Sequence, residues 1–260
     1  MAAHRPLIRP GARPEPIRPP GWAPARAGVA VVADDPPLTI AAVCRRWPVV
    51  VPLALVVTVV FGVGAAIDGG RPLVWDVAIT DAAVAHRTAW LDRVALGVTQ
   101  LGAWTVVVPI GVALAVLAAR RSTDLAVVIV VVLAGRPLLT LLLKELIDRP
   151  RPSGARLVGA TGDAYPSGHV LAAAMTWAFL PPVVALYIRR RAIWWAAVAG
   201  AAAVVAVVAW SRVWLGVHWT SDVVAGLLLA FLALALIEAH LAGRPPRRRS
   251  SDARPTGSKP

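Results

Sequence analysis

Long apolar stretches with few or no charged side chains constrain this sequence more than any other feature. Six stretches approach the roughly 20 residues that a helix needs to cross a bilayer core of about 30 Å. They are continuously rich in Val, Ala and Leu, whereas a membrane barrel would show short alternating segments. A helix also satisfies its own backbone hydrogen bonds, which lipid cannot do. We therefore predict an all-α fold, a six-span transmembrane helical bundle.

The limits of the apolar stretches divide the chain into three parts. Residues 1–48 are dense in Pro, Arg, Ala and Gly, which predicts a disordered basic tail. Residues 49–241 form the predicted membrane domain, and residues 242–260 form a second disordered basic tail. A segment before the second span has apolar residues at helical spacing, from Leu91 to Leu101, and predicts an interfacial helix. The predicted spans are Val49–Ile67, Leu101–Ala119, Leu125–Leu143, Val170–Ile188, Ala192–Trp210 and Asp222–Leu241.

The net charge of +13 raises the question of nucleic-acid binding. Residues 1–48 carry seven Arg against three acidic residues, and residues 242–260 carry six basic residues against one acidic residue. Most of the excess therefore lies in the tails, and no basic stripe with interleaved aromatic residues crosses the membrane domain. Topology signals and contacts with anionic membrane lipids explain such tails better, so no nucleic-acid partner is predicted.

The placement of the basic residues predicts the orientation of the bundle. Of the 27 Lys and Arg residues, 18 lie in the two tails and in the loops that follow the second and fourth spans. Cytoplasmic loops carry such an excess of basic residues. We therefore predict a multi-pass plasma-membrane protein with both termini in the cytoplasm and its other three loops facing outward.

Three clusters of polar residues fall at span ends on the predicted outward side. Lys144, Arg151 and Arg212 would supply three positive charges to a phosphate group. Ser167 and Gly168 open the fourth span, where a helix N-terminus presents unpaired N–H groups to an anion. The clusters are residues 144–152, 165–169 and 211–222.

The third cluster contains a pair of residues suited to nucleophilic chemistry. His218 and Asp222 are four residues apart, so they would share one face of a helix. The carboxylate would accept a hydrogen bond from one imidazole nitrogen and leave the lone pair of the other nitrogen free. A neutral imidazole in that tautomer is a competent nucleophile, and the carboxylate stabilises the positive charge of attack. By itself the pair would fit a surface ion pair, but its setting favours catalysis.

Taken together, the clusters resemble the three-part signature of the type-2 phosphatidic acid phosphatase superfamily, which also includes the vanadium haloperoxidases. Every signature position is matched, and the resemblance covers residues 49–241 but not the tails. It implies a helical bundle of the phosphatidic acid phosphatase and haloperoxidase type. The matching residues are Lys144, six residues on Arg151 and Pro152; Pro166, Ser167, Gly168 and His169; and Ser211, Arg212, five residues on His218, and Asp222.

The resemblance also implies a two-step mechanism. His218 would attack phosphorus to form a phosphohistidine, and Asp222 would orient the ring. His169 would protonate the leaving oxygen and then activate water. The substrate would be a lipid phosphate or lipid pyrophosphate, and no metal or cofactor is implied. The phosphate oxygens would be held by Lys144, Arg151, Ser167, Gly168 and Arg212.

Other functions fit parts of the pattern. Transfer of a phosphoryl group between lipids would use the same phosphohistidine with an acceptor other than water. A non-catalytic phospholipid-binding protein would be expected to have lost His169, Arg212 or His218, which are all present. A transporter often has broken spans and midplane charges, and only Arg136 beside Pro137 points to one. A haloperoxidase is disfavoured because those relatives are soluble.

Three further arginines lie in or after the predicted third span. Arg136 lies mid-span, where a charge costs at least about 2.5 kcal/mol. It should therefore face the bundle interior or a partner, with Asp124 and Glu238 as candidates, in a mainly structural role. Arg149 and Arg156 either contact a lipid headgroup or, as the default interpretation, are solvated loop charges.

Overall fold

The computed structural model describes residues 69–153 and 156–242. In these two ranges the chain is helical, with one 3-10 turn (Thr99–Gly102) and no β-strand, which confirms the all-α prediction. The predicted tails and the predicted first span, Val49–Ile67, lie outside the described residues apart from Ala242. The helices are α1 (Val74–Ala85), α2 (Ala89–Val98), α3 (Trp104–Ala119), α4 (Thr123–Ile147), α5 (Gly168–Trp177), α6 (Leu180–Tyr187), α7 (Arg191–Trp214) and α8 (Thr220–Ala242).

Four helical segments in the described part of the chain are long and apolar enough to cross a membrane. A fifth span results if α2 with the 3-10 turn is joined to α3, across a bend of 42°. In α4 and α7 only 17% of the apolar window is buried within the protein, so their surface suits a lipid surrounding. The chain is therefore a membrane protein, and the count of six spans stays a prediction. The four segments are Thr123–Ile147, Gly168–Ala185, Arg191–Trp214 and Thr220–Ile237.

Hydroxyl side chains fix the start of two helices. The hydroxyl of Thr88 accepts a hydrogen bond from the Leu91 N–H at 3.3 Å, before the first turn of α2. The hydroxyl of Ser122 accepts from the Leu125 N–H at 3.3 Å, at the start of α4. These bonds satisfy N–H groups that the first turn of a helix leaves unpaired. The helix predicted before the second span is thus present as α2, which packs against α7.

The predicted fourth span is divided into two helices. The first, α5, ends at Trp177, and α6 begins at Leu180. Pro181 and Pro182 occupy the first turn of α6. Proline has no N–H to donate, and it fits best in the first turn of a helix, where the N–H would be unpaired. The two prolines therefore start a new helix within the span.

Helix α5 occupies the centre of the bundle. It contacts α3, α4, α7 and α8, and six of its ten residues are buried. Two of these are Ala172 and Ala173, whose small side chains allow neighbouring helices to approach closely. Because α5 is central, its first residues lie in the middle of one end of the bundle.

The opposite end of the bundle carries the basic loops. The Arg121 guanidinium lies over the ring of Tyr187, 5.2 Å from its centre. The Tyr187 hydroxyl donates to the Leu117 carbonyl at 2.7 Å. The loop after α3 and the end of α6 therefore lie together, as the topology prediction requires of two loops on one side. The three polar clusters lie at the other end of these helices.

Candidate active site

One cavity of about 270 Å³ joins the three polar clusters at the end of the bundle opposite Arg121. The end of α4 and the loop after it, the start of α5, the end of α7 and the segment before α8 all contribute to its wall. Most of the residues predicted to bind or attack phosphate lie together in this wall. The lining residues are Lys144, Arg151, Gly159, Ala160, Thr161, Gly168, His169, Arg212 and His218.

Hydrogen bonds determine the tautomer of His218. Its Nδ1 lies 2.8 Å from the Ala164 carbonyl oxygen, which can only accept. Its Nε2 lies 3.1 Å from Nη1 of Arg151, which can only donate. The hydrogen is therefore on Nδ1, and Nε2 has the lone pair that a nucleophile needs.

Burial keeps the ring of His218 neutral. The residue is 2% exposed, and this burial lowers the pKa of His218 to about 4, although the Asp222 carboxylate acts in the opposite direction. Burial disfavours the charged form of imidazole because the interior solvates charge poorly. At neutral pH, His218 is thus an unprotonated base held in a single tautomer.

The contact between Asp222 and His218 differs from the predicted one. His218 precedes the first residue of α8, Thr220, so the two side chains do not share a helical face. The Asp222 Oδ2 lies 3.7 Å from Nδ1 of His218, and the hydrogen bond from that nitrogen goes to Ala164 instead. Oδ2 itself accepts from the Trp219 N–H at 2.8 Å. Asp222 therefore caps α8 and acts on His218 through its charge.

Arg151 has a partner for each of its five N–H groups. One faces Nε2 of His218, and the other four donate to backbone carbonyl oxygens. A phosphate oxygen beside His218 could accept from Arg151 only in place of one of these acceptors. Nε2 is the acceptor that would be lost, because its lone pair forms the bond to phosphorus. The carbonyl groups belong to Thr161, Gly162, Asp163 and Val217.

Two other cations line the cavity in different surroundings. Arg212 is 6% exposed, and its Nη1 donates to the Thr99 hydroxyl at 2.8 Å. Its Nε is buried and has no hydrogen-bond partner among the described residues. Lys144 donates to the Asp163 carbonyl. Thr99 thus orients Arg212 beside the cavity, a contact that no motif in the sequence indicates.

The start of α5 has the predicted form of an anion site. Ser167 is the N-cap residue, and α5 begins with Gly168 and His169. The Ser167 hydroxyl makes no capping bond and has no hydrogen-bond partner in the described part of the chain. The first N–H groups of a helix are also unpaired within it. A phosphate at this position would find unpaired donors and the positive end of the helix dipole.

Arg149 is not the solvated loop charge that the sequence predicted. It is 2% exposed, and it forms ion pairs with Asp222 at 2.6 Å and with Asp76 at 2.9 Å. The default interpretation was wrong because α1 folds over this loop and excludes water from it. Asp76 lies in no motif, so only the tertiary structure reveals it. Arg156, by contrast, is exposed as expected.

Arg136 does not pair with one of its two predicted partners. Asp124 is exposed at the start of the same helix, 12 residues before Arg136, which places it about 18 Å away along the axis. The other candidate, Glu238, has no described side chain. The Nε of Arg136 is buried and has no hydrogen-bond partner among the described residues.

Comparisons with known proteins show what this chain is similar to. The sequence model of the PAP2 superfamily matches residues 125–242, which contain all three clusters. Phosphatidylglycerophosphatase B of Bacillus subtilis (strain 168) is 35% identical over 169 residues, which cover 63% of this chain and 81% of that protein. The crystal structure of a transmembrane PAP2 type phosphatidylglycerolphosphate phosphatase from Bacillus subtilis aligns with a TM-score of 0.64 and 27% identity. That alignment covers 76% of this chain and 98% of the crystallised one.

Proposed function

Because this chain belongs to the PAP2 superfamily of membrane phosphatases, we propose that it hydrolyses a lipid phosphate through a phosphohistidine on His218. The observation that carries the proposal is the unprotonated Nε2 of a buried, neutral His218 in the wall of a cationic cavity. An anion in that cavity would lie beside the nucleophile, with Lys144 and Arg212 to hold it.

In the first step, Nε2 of His218 attacks phosphorus while the bond from phosphorus to the lipid oxygen breaks. The N–P bond forms, and His169, which takes up a proton when the anionic phosphate enters the cavity, gives that proton to the leaving lipid oxygen. The phosphorylated ring keeps its hydrogen on Nδ1, where the Ala164 carbonyl accepts it. The ring is then positively charged, and the Asp222 carboxylate, 3.7 Å from Nδ1, stabilises that charge.

In the second step, water attacks the phosphohistidine. His169, neutral after the first step, takes a proton from the water, and the resulting oxygen–phosphorus bond displaces Nε2 of His218. The electron pair of the N–P bond returns to Nε2, inorganic phosphate leaves, and His169 is protonated again. Both steps use one acid–base residue in opposite directions, as a double displacement requires.

The cations and the helix start act where charge accumulates in the transition state. The guanidinium of Arg212, oriented by Thr99, and the first N–H groups of α5 offer donors already in place. Arg151 exchanges its contact with His218 for a phosphate oxygen when the N–P bond forms. Lys144 adds a further positive charge from the end of α4. Fixed donors of this kind cost little reorganisation at the moment of reaction.

The substrate we propose first is a phosphomonoester of a glycerophospholipid. The names of the two similar proteins indicate phosphatidylglycerophosphate, and phosphatidic acid and an isoprenoid pyrophosphate present the same terminal phosphate. We further propose that the cavity faces outward across the plasma membrane. The excess of basic residues in the loops at the other end supports this orientation.

Phosphate release from a panel of lipids tests the proposal. The purified chain in detergent is given phosphatidylglycerophosphate, phosphatidic acid and an isoprenoid pyrophosphate, each with and without an added alcohol acceptor. We expect release from at least one lipid, abolished by His218→Ala and unchanged by His86→Ala, which alters an exposed histidine outside the cavity. Transfer of phosphate to the alcohol in place of water would favour a transferase. Undiminished release by His218→Ala would overturn the mechanism.

A further inference from the structure

A buried ion network adjoins the reacting histidine and includes two residues, Asp76 and Arg149, that are not signature positions. Arg149 donates from Nη1 to Oδ1 of Asp222 at 2.6 Å and to the Ser221 hydroxyl at 2.7 Å. It donates from Nη2 to Oδ2 of Asp76 at 2.9 Å. Arg149, Asp76 and Asp222 are exposed by 2%, 0% and 0%. The Arg149 guanidinium therefore joins two buried carboxylates that lie far apart in the sequence.

The network fixes the orientation of Asp222. Its Oδ1 is held by Arg149, and its Oδ2 is held by the Trp219 N–H at 2.8 Å. Neither oxygen can turn without losing a short, charge-assisted hydrogen bond. The carboxylate therefore keeps Oδ2 at 3.7 Å from Nδ1 of His218. This distance is short enough to stabilise a charged ring and too long for Oδ2 to replace the Ala164 carbonyl as the hydrogen-bond acceptor of Nδ1.

Asp76 fixes Arg149 in turn and ties α1 to the start of α8. Its Oδ1 accepts from the Ser221 N–H at 2.8 Å, and its Oδ2 accepts from the Ser221 hydroxyl. Oδ2 also accepts from the Leu73 N–H at 3.1 Å, which caps α1. The Asp76 carboxylate thus accepts hydrogen bonds from three residues, Leu73, Arg149 and Ser221, and Ser221 donates through two groups.

The net charge of the network determines how strongly Asp222 can stabilise a positively charged His218. Arg149 alone would cancel the charge of Asp222, and a neutral pair would do little for a positively charged phosphohistidine. Asp76 adds a second negative charge, so two carboxylates and one guanidinium leave one net negative charge beside the ring. In a buried site such a charge is weakly screened.

We propose that Asp76 and Arg149 are positioning residues of the phosphatase, which act on His218 through Asp222. They hold the Asp222 carboxylate in one orientation and preserve a net negative charge next to the ring as it becomes positive. The inference rests on the proposed function, because it concerns the charge that phosphohistidine formation creates. It adds two residues that are not signature positions to those that the reaction depends on.

The test compares Asp76→Asn and Arg149→Lys with matched changes elsewhere. Asp81→Asn alters an exposed residue of α1, and Arg93→Lys alters an exposed residue of α2. Each variant is purified in detergent and assayed for kcat, for KM and for melting temperature. Inhibition by vanadate, which forms a five-coordinate analogue of the transition state, is measured beside inhibition by inorganic phosphate.

Asp76→Asn keeps the size of the side chain and removes its charge. We expect kcat to fall on the order of 10- to 100-fold, as when a residue that orients a reacting group is lost, with little change in KM. Inhibition by vanadate should weaken by a similar factor, and inhibition by phosphate should not, since only the transition state places positive charge on the ring. The control Asp81→Asn should match the wild type.

Arg149→Lys keeps the charge but replaces a fork of donors that bonds both carboxylates with a single ammonium group. It should retain more activity than Arg149→Met and less than the wild type. A purely structural role would lower the melting temperature and the yield, with unchanged kcat and unchanged vanadate inhibition in the folded fraction. That result in both Asp76→Asn and Arg149→Lys would overturn the inference.

The same measurements separate failure of this inference from failure of the proposed function. If the wild type is active and the variants match it, only the positioning role of Asp76 and Arg149 is refuted. A wild type that releases no phosphate from any lipid of the panel removes the proposed function, and the inference with it. A fall in kcat in the variants, with unchanged inhibition by phosphate, supports both the inference and the proposed function.

Discussion

A single methyl group at Gly102 should displace the start of α5 and with it the phosphate site. Gly102 ends the 3-10 turn between α2 and α3. A Cβ atom built there would lie 2.7 Å from the carbonyl oxygen of His169 and 2.8 Å from a methyl group of Val208. The first of these atoms belongs to the backbone of a helix, so it cannot turn aside as the end of a flexible side chain can.

The size of the displacement follows from these distances. Ordinary van der Waals contact begins at 3.4 Å, so the His169 carbonyl and Gly102 must separate by about 0.7 Å. Overpacking of this kind typically costs about 1–3 kcal/mol, which lowers Tm by about 2–4 °C per kcal/mol in a chain of this size. Misplacement of reacting groups by about 1 Å can cost about 100-fold in rate. We therefore expect kcat of Gly102→Ala to fall at least about 10-fold.

The assay compares Gly102→Ala with Gly97→Ala, which makes the same chemical change in α2 with no atom within 4 Å of the new methyl group. Alanine at position 97 should raise stability by about 0.5–1 kcal/mol through helix propensity and leave kcat unchanged. Tm is measured by intrinsic fluorescence and kcat by phosphate release. Wild-type kcat and Tm in Gly102→Ala would refute the close approach of the 3-10 turn to α5.

Three further predictions concern the pH, one cation and metal ions. Burial lowers the pKa of His218 to about 4, whereas a histidine in the unfolded chain titrates near 6.5. The unfolded chain therefore binds this proton first, and the wild type should lose about 3 kcal/mol of stability relative to His218→Gln as the pH falls from about 6.5 to about 4; a Tm difference independent of pH would contradict this. Arg212→Lys removes the donor fork and should lower kcat about 100- to 1,000-fold, whereas Arg156→Lys, at an exposed position, should not; equal rates in the two variants would exclude a role for Arg212 in the transition state. Phosphate release should be the same with and without EDTA, and a loss restored by added metal would contradict metal independence.

The residues that line the cavity could be predicted from the sequence because the reaction requires them at span ends. Lys144, His169, Arg212 and His218 lie in motifs whose spacing places them at the ends of helices, and helices of similar length bring those ends together. The order and approximate limits of the helices from α3 onward follow from apolar stretches, which any membrane-spanning segment must have. Periodicity likewise indicated the helix before α3.

The interior contacts of the site could not be predicted in this way. Whether Arg149 is solvated or buried depends on α1, whose Asp76 is separated from it by 73 residues. The hydrogen-bond partner of Nδ1 in His218 is a backbone carbonyl, at Ala164, and every residue type offers that group. The break in the fourth span, by contrast, could have been predicted, because Pro181 and Pro182 signal it in the sequence. The unbroken apolar stretch led instead to the prediction of one continuous helix.

Trapping of the phosphorylated enzyme tests the central claim most directly. The purified chain is mixed with a lipid phosphate labelled with ³²P in its terminal phosphate, and the reaction is stopped in alkali, in which phosphohistidine survives. We predict protein-bound label that acid releases and that maps to the peptide containing His218. Label that maps to any other residue would contradict the claim that Nε2 of His218 attacks phosphorus.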